Sequence, residues 1–390
     1  MIEVRKFRTI LVFLGLLLIF VYIFYATGNV CNTTLVIRDP PATFRGVPAT
    51  IRVLPATIRE NPATIRHKKI AIVIVITAGT DVMNYDLAIK TVHCYSKIQG
   101  YEFVLTMDNE YNCEHKDKFF RRHCVVAKIL PKYDVVLFLD ADIGVVNPKK
   151  RIEEYMEDGV DVTFYDRFYN WEIMAGSYIA RNTPYALNLL MEFADYEFKL
   201  PNSFHGTDNG ALHIFLAKKL FPHANIEITN CEKIYNISKD WADLFTYEAC
   251  IRALFGVSTN FGKIKIFHKG TGWARDAWSN GLWNEEIDFM LHEWKMSKLL
   301  PTPNEPVKAV AVPQSQWYNP LAGPIVIEKC SPSNSTWFYD PRLLGSREDI
   351  KPGLLEYEKM VALKQITSIS RMEDLLPKNK TKSRLWPFSK

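Results

Sequence analysis

Apolar and polar positions along this chain change period several times. Ile70-Ala71-Ile72-Val73-Ile74-Val75-Ile76 is wholly apolar and mostly β-branched, and Val135-Val136-Leu137-Phe138-Leu139 repeats the pattern. Short continuous runs of this kind read as strands buried on both faces of a sheet. Residues 101–105 and 161–165 predict two more strands, and small residues within 170–182 turn into another. Residues 263–268 alternate toward a strand that ends on His268. Helical spacing covers residues 85–98, 116–130 and 184–197, a helix begins at 152–156, and a polar loop at 204–212 opens a helix reaching about Leu220. This strand–helix–strand order predicts an α/β fold with a parallel, doubly wound sheet and right-handed crossovers.

Two stretches break the pattern. Residues 10–26 are uncharged and apolar, follow Arg5, Lys6 and Arg8, and meet no further charge until Arg38. Such a run spans a bilayer, with its positive flank on the cytoplasmic side. The alternative is a cleaved signal peptide, but the apolar core exceeds the usual length and Ala26-Thr27-Gly28 is a poor cleavage site. The second stretch repeats Pro-Ala-Thr every seven residues from Pro41 to Thr64. A proline in each repeat forbids a continuous helix and favours an extended spacer. The expected order is a cytoplasmic tail (1–9), a transmembrane signal anchor (10–26), a lumenal stalk (27–67), a folded domain (68–300) and a C-terminal extension with a basic tail (301–390).

Composition supports a lumenal domain. The net charge of +5 is dispersed, so no basic stripe points to nucleic acid. None of the seven cysteines forms a Cys-x-x-Cys pair, which argues against zinc. Cys31, just beyond the membrane run, is the odd thiol and is positioned to bridge two chains into a disulfide-linked homodimer. Asn32, Asn236, Asn334 and Asn379 each open a glycosylation triplet.

Candidate chemistry gathers at strand ends. The run 135–139 exits into Asp140-Ala141-Asp142-Ile143-Gly144, and carboxylates two apart in an extended segment point the same way. Two hard oxygen ligands at the carboxyl end of a buried strand suit a divalent cation carrying a diphosphate. The first strand runs into Thr77-Ala78-Gly79-Thr80, where an α/β sheet meets a nucleotide, so Thr77 and Gly79 are candidate nucleotide contacts. Gly176 and Ser177 allow close approach of a ligand to the backbone. Trp171 or Trp273 is expected to stack on substrate. His292-Glu293 lacks a second histidine at helical spacing and is not a zinc-protease motif.

Four segments in this order resemble nucleotide-sugar glycosyltransferases of the GT-A fold: Phe138-Leu139-Asp140-Ala141-Asp142, Met174-Ala175-Gly176-Ser177-Tyr178, Gly206-Thr207-Asp208-Asn209-Gly210 and Phe267-His268-Lys269-Gly270. The likeness is to the galactosyl/xylosyltransferase family and, more narrowly, to the uncharacterised, nematode-expanded DUF273 group. It covers roughly residues 68–300. The resemblance implies a Rossmann-like mixed sheet, largely parallel, and a Golgi type II glycosyltransferase. Such an enzyme moves sugar from a nucleotide-diphosphate donor to a glycan, glycoprotein or glycolipid acceptor, with retention of configuration. It also implies Mn2+ held by Asp140, Asp142 and His268, with Asp140 within reach of the donor ribose. Lys269 and Gly270 would grip phosphate, and Asp208 would sit at the reacting centre. Departures fall beside Asp208, where Thr207 and Asn209 stand in place of a second acidic residue or glutamine.

Two rivals follow from the same residues. A glycoside hydrolase needs carboxyls opposed across a bond, which the spacing of Asp140 and Asp142 does not supply. A non-catalytic lumenal protein that keeps the fold and binds glycans or a partner is the other.

Overall fold

The computed structural model describes residues 68–333 and 336–376. The expected anchor and stalk, Cys31, the triplets at Asn32, Asn334 and Asn379, and the basic tail lie outside the described residues. Among the described residues no helix is long and apolar enough to cross a membrane.

The chain runs β1 (Ile70–Ile76), α1 (Asp86–Gln99), β2 (Glu102–Met107), α2 (Lys118–Ile129), β3 (Val135–Leu139), β4 (Ile143–Val145), β5 (Val162–Tyr165) and β6 (Ser177–Arg181). It continues through α3 (Pro184–Ala194), α4 (Thr207–Leu220), α5 (Asn225–Ile237), α6 (Trp241–Phe255), β7 (Asn260–Phe261), β8 (Ile264–Phe267), β9 (Ala274–Asp276), β10 (Met290–His292) and α7 (Arg347–Leu375). Local chemistry sets several ends. Gly100 takes the left-handed conformation (φ 74°) that closes α1. Asp117 caps α2 by accepting from the Phe119 N–H. Thr183 does the same for α3 from Ala186, with Pro184 in the first turn.

Seven strands form one sheet in the order β2-β1-β3-β6-β5-β8-β7. β1 pairs parallel with β2 and β3, and β5 with β8, but β6 runs antiparallel to both β3 and β5. The parallel expectation fails at β6 for a simple reason. The link from Tyr165 to Ser177 carries no helix, and a parallel return needs a crossover that usually contains one. The β-branched runs are buried on both faces. Ala71, Val73, Val136 and Phe138 face the side of α2, α3, α4 and α6. Ile72, Ile74, Leu137 and Leu139 face the side of α1 and the second sheet.

That second sheet has three short strands in the order β4-β10-β9. It is held by the C-terminal extension. Trp317 stacks on Trp294 with ring centroids 5.0 Å apart, and Cys330 is bonded to Cys94 of α1. Closing so long a loop adds on the order of 5 kcal/mol in the chain-entropy view. Cys113–Cys124 and Cys231–Cys250 complete the disulfides of the described residues.

The expected helix at 152–156 is only a 3-10 turn, and the helix expected over 184–197 stops at Ala194 and tightens into a 3-10 turn. Helices α5, α6 and α7 were not foreseen. α7 contains Pro352, which reads as a breaker, yet a Ser346–Asp349 capping box starts the helix just before it.

Candidate functional site

The turn after β3 is built by backbone first. The Asp140 N–H donates to the Gly176 carbonyl at 2.8 Å, and the Ile143 N–H closes back on the Asp140 carbonyl at 3.0 Å. Gly176 is required here, because a Cβ would come within 1.9 Å of Asp140 Oδ2. Ser177 is fully buried, with its hydroxyl accepting from Trp273 Nε1 at 2.9 Å.

The second sheet then brings its own residues alongside. β10 lies antiparallel to β4 with His292 opposite Ile143, the residue after Asp142. β9 lies parallel to β10 with Asp276 opposite His292. The result is a row: Asp142, His292, Asp276. His292 Nε2 is 3.5 Å from Asp142 Oδ1, and His292 Nδ1 is 3.0 Å from Asp276 Oδ1. One donor atom from each of Asp140, Asp142 and His292 lies within 4.8 Å of the others. Beyond His292 the chain turns through Glu293, a non-glycine residue at φ 78°. That turn sends Lys295 back to Asp142 Oδ2 at 2.6 Å and to Glu293 at 2.7 Å. Strain of this kind collects where neighbouring side chains have a task.

Asp140, Asp142, His292, Glu293 and Lys295 line a cavity of about 350 Å³ together with Thr77, Thr80, Tyr85, Asp108, Lys118, Phe119, Arg122, Arg167, Met174 and Asn209. Arg122 joins two carboxylates, pairing closely with Asp140 and binding Asp208 Oδ2 at 2.6 Å. Asp208 is wholly buried behind the wall and is also reached by His123 Nε2 at 3.1 Å. Asn209 is the residue that reaches the cavity, with its Oδ1 accepting from the Ala175 N–H at 3.2 Å.

Electrostatics divide the carboxylates. Burial pushes Asp140 up to about 6, with Arg122 opposing and Asp142 adding to the rise. Burial would raise Asp142 as well, but His292 and Lys295 hold its carboxyl far below the usual range. Burial likewise works against the charge of Asp208, and Arg122 and His123 bring it down to about 2. His292 is disfavoured as a cation by burial, yet Asp142 and Asp276 raise it to about 10.

Of the residues expected from the sequence, Thr77, Asp140 and Asp142 line the cavity; Gly79, Gly176, Ser177, Asp208, His268, Lys269 and Gly270 do not. The imidazole that meets the carboxylates is His292, not His268. His268 ends β8, which lies three strands beyond β3, roughly 14 Å at ordinary strand spacing. Its Nε2 faces the Val257 carbonyl at 3.1 Å, and its Nδ1 lies 3.9 Å from Asp166. Lys269 is turned inward, with its Nζ donating to the Arg167 and Asn170 carbonyls, so it ties down that loop. Gly270 uses its freedom for a left-handed turn (φ 74°) beside Phe168. Trp171 and Trp273 are both buried, donating to the Phe245 carbonyl and the Ser177 hydroxyl, and neither lines the cavity. His292, Lys295, Arg122, Arg167, Tyr85 and Asn209 were missed. The available signal was a lysine three residues after a histidine, His292-Glu293-Trp294-Lys295, in the same domain as the Asp pair.

A family model described as "Protein of unknown function, DUF273" matches residues 92–309, more than half of the chain. The chain belongs to the DUF273 family. The matched segment includes Asp140, Asp142, Asp276, His292 and Lys295, while Thr77 and Tyr85 precede it and Trp317 follows it. No curated protein matches the sequence. Among solved structures the chain is similar to a glycosyltransferase involved in glycosylation of the major capsid of PBCV-1. That similarity has 14% identity and a TM-score of 0.35 over 57% of this chain and 92% of that chain. It is also similar to the catalytic domain of Drosophila beta1,4galactosyltransferase 7 in complex with xylobiose, at 9% identity and a TM-score of 0.25 over 53% and 66% of the two chains. The glycosyltransferase GlyE of Streptococcus pneumoniae TIGR4 gives 12% identity and a TM-score of 0.31 over 82% and 66%. These likenesses are too distant to bear on any residue's role.

Proposed function

We propose that this chain is a metal-dependent glycosyltransferase that moves a sugar from a nucleotide-diphosphate donor to a glycan acceptor. The observation that carries the reading is the convergence of Asp140, Asp142 and His292 at the carboxyl ends of β1 and β3, in a cavity rimmed by Lys118, Arg122, Arg167 and Lys295. Parallel α/β sheets bind nucleotides at such strand ends.

The residues fit a divalent cation. Two carboxylates and an imidazole form a donor set that suits manganese better than calcium. Lys295 Nζ already rests on Asp142 as a positive stand-in. Bound there, a cation supplies Lewis-acid stabilisation of a leaving diphosphate. The chain's own groups do the rest. Lys295, released from Asp142, and Lys118 line the cavity as cations able to hold phosphate oxygens. Thr77, Thr80, Tyr85 and Asp108 line the side toward β1 and β2, where nucleoside contacts belong. Asn209 and Arg167 face the transferred sugar, and Asp208, through Arg122, fixes the wall behind it.

The reading extends to a Golgi type II membrane protein with Mn2+ as the working metal and retention of configuration. Three disulfides among the described cysteines suit an oxidising lumen, and the apolar run at 10–26 suits a signal anchor. A second reading, a lumenal glycan- or partner-binding protein that keeps the fold, draws on one observation. Arg122 and Lys295 neutralise both carboxylates without any metal.

The deciding experiment is a thermal-shift screen of nucleotide sugars on the full chain in detergent, with and without Mn2+, beside Asp142→Ala. One donor should stabilise the protein only with metal, and the variant should lose roughly 100-fold or more in Mn2+ affinity, about 3 kcal/mol. A folded protein that responds to no donor and binds no Mn2+ moves the assignment to the second reading.

A further inference from the structure

We infer that Asp276 is a positioning residue for the metal site, holding His292 so that Nε2 is the ligand atom. The inference rests on the metal-site reading above and goes one layer behind it. Asp276 and His292 are register partners on β9 and β10, so their side chains leave adjacent strands at the same level. Asp276 is 2% exposed, and both of its oxygens are committed. Oδ1 accepts from Arg167 Nη2 at 2.7 Å and faces His292 Nδ1 at 3.0 Å, while Oδ2 accepts from the Tyr169 N–H at 2.7 Å. Arg167, which also pairs with Glu172 at 3.2 Å, keeps this carboxyl an anion and an acceptor only.

Facing a pure acceptor, Nδ1 must carry the proton. The lone pair of the neutral ring is then on Nε2, the nitrogen that lies 3.5 Å from Asp142 Oδ1. Carboxylates behind ligating histidines fix tautomer and ring angle, and their loss typically weakens metal binding about 10–100-fold. Arg167 lines the cavity, so the same ion pair ties the ligand ring to the wall proposed to face the sugar.

The test measures Mn2+ affinity of the full chain by the electron paramagnetic resonance of free Mn2+. Asp276→Asn is compared in the wild-type and His292→Ala backgrounds. In the wild type the amide should lower affinity roughly 10–100-fold. With His292 already gone, it should change affinity by less than about twofold, because Asp276 acts only through that ring. Equal losses in both backgrounds mean a purely structural role and overturn the inference, as does no loss in either. If Asp276→Asn fails to fold, 15N-histidine spectra of the zinc-loaded wild type decide instead. They should show a protonated Nδ1 and a metal-bound Nε2 whose signals vanish in His292→Ala; a metal-bound Nδ1 overturns the inference. Failure of the wild type to bind Mn2+ or Zn2+ removes the metal site itself and this inference with it. Loss of the Asp276 effect alone leaves the metal site standing.

Discussion

The two sheets deliver residues to one cavity by different routes. The large sheet contributes Asp140 and Asp142 from the end of β3, a strand whose every residue is buried and whose neighbours β1 and β6 fix it on both sides. The small sheet contributes His292 from a strand of three residues, paired with β9 shortly before it and with β4 from a distant part of the sequence. The first is stable by virtue of its own burial. The second borrows stability from outside: Trp294 N–H donates to the Asp142 carbonyl at 2.8 Å, and Trp317 Nε1 donates to the Lys295 carbonyl at 2.9 Å. A site split this way has a rigid anionic half and a half whose geometry depends on the C-terminal extension.

Breaking each half separately sharpens the contrast. The largest effect is expected at Arg122, which belongs to the large-sheet half. Arg122→Met strips the positive partner from Asp208 and Asp140, and an uncompensated buried charge costs roughly 3–5 kcal/mol. Chemical denaturation should register that loss. A change below about 1 kcal/mol would mean that His123 and Thr207 already satisfy Asp208.

The pH profile of the metal-free protein should separate the halves next. Burial lowers His123 to about 4, so it takes its proton in the unfolded chain first, and stability falls as pH drops from about 6.5 toward 4. Asp208, lowered to about 2, continues the loss between its ordinary carboxylate range and pH 2. Each is expected to account for on the order of 2–3 kcal/mol. His292 acts in the opposite sense. With its folded value near 10, its contribution is complete below about 6.5 and fades as pH rises toward 10. Mn2+ needs the neutral ring, so added metal should abolish the alkaline decline; it also needs Asp140 ionised, so the stabilisation by metal should fade below about pH 6 and steepen the acid limb. Melting curves from pH 2 to 10, with and without Mn2+, check both limbs. An alkaline decline that persists in His292→Gln would assign it elsewhere.

The smallest effects come from a matched pair of glycines. A Cβ at Gly176 would press on Asp140 Oδ2 at 1.9 Å, and one at Gly144 would press on the Trp294 ring at 2.3 Å. Gly176→Ala and Gly144→Ala should each cost about 1–3 kcal/mol as overpacking. Their signatures differ. The first displaces a carboxylate directly; the second shifts the His292–Lys295 segment through Trp294. Mn2+ affinity measured beside the melting temperature distinguishes them, and equal stability loss with metal affinity unchanged in both would dissolve the two-halves picture.

Legibility in the sequence followed the same divide. Asp140 and Asp142 stood out because a continuous apolar run marks its own end, and the carboxylates sit one step past it. His268 looked equally well placed because it too ends a readable strand. His292 offered no period to read: Met290-Leu291-His292 is too short to show one. Arg122 sat unmarked in the middle of α2, where a cation usually means a solvated face, and its partners arrive from residues 140 and 208.

Local sequence is enough to specify the buried strands β1 and β3, the turn that carries two carboxylates, and the capped helices around them. Each is set by interactions among near neighbours: burial of alternate faces, side-chain caps and the bend at a glycine. Long-range packing settles that β6 reverses, that β4, β9 and β10 form a second sheet, and that His292 rather than His268 meets the two carboxylates. Those outcomes depend on pairing between strands far apart in sequence, where register is chosen by packing and leaves no local trace.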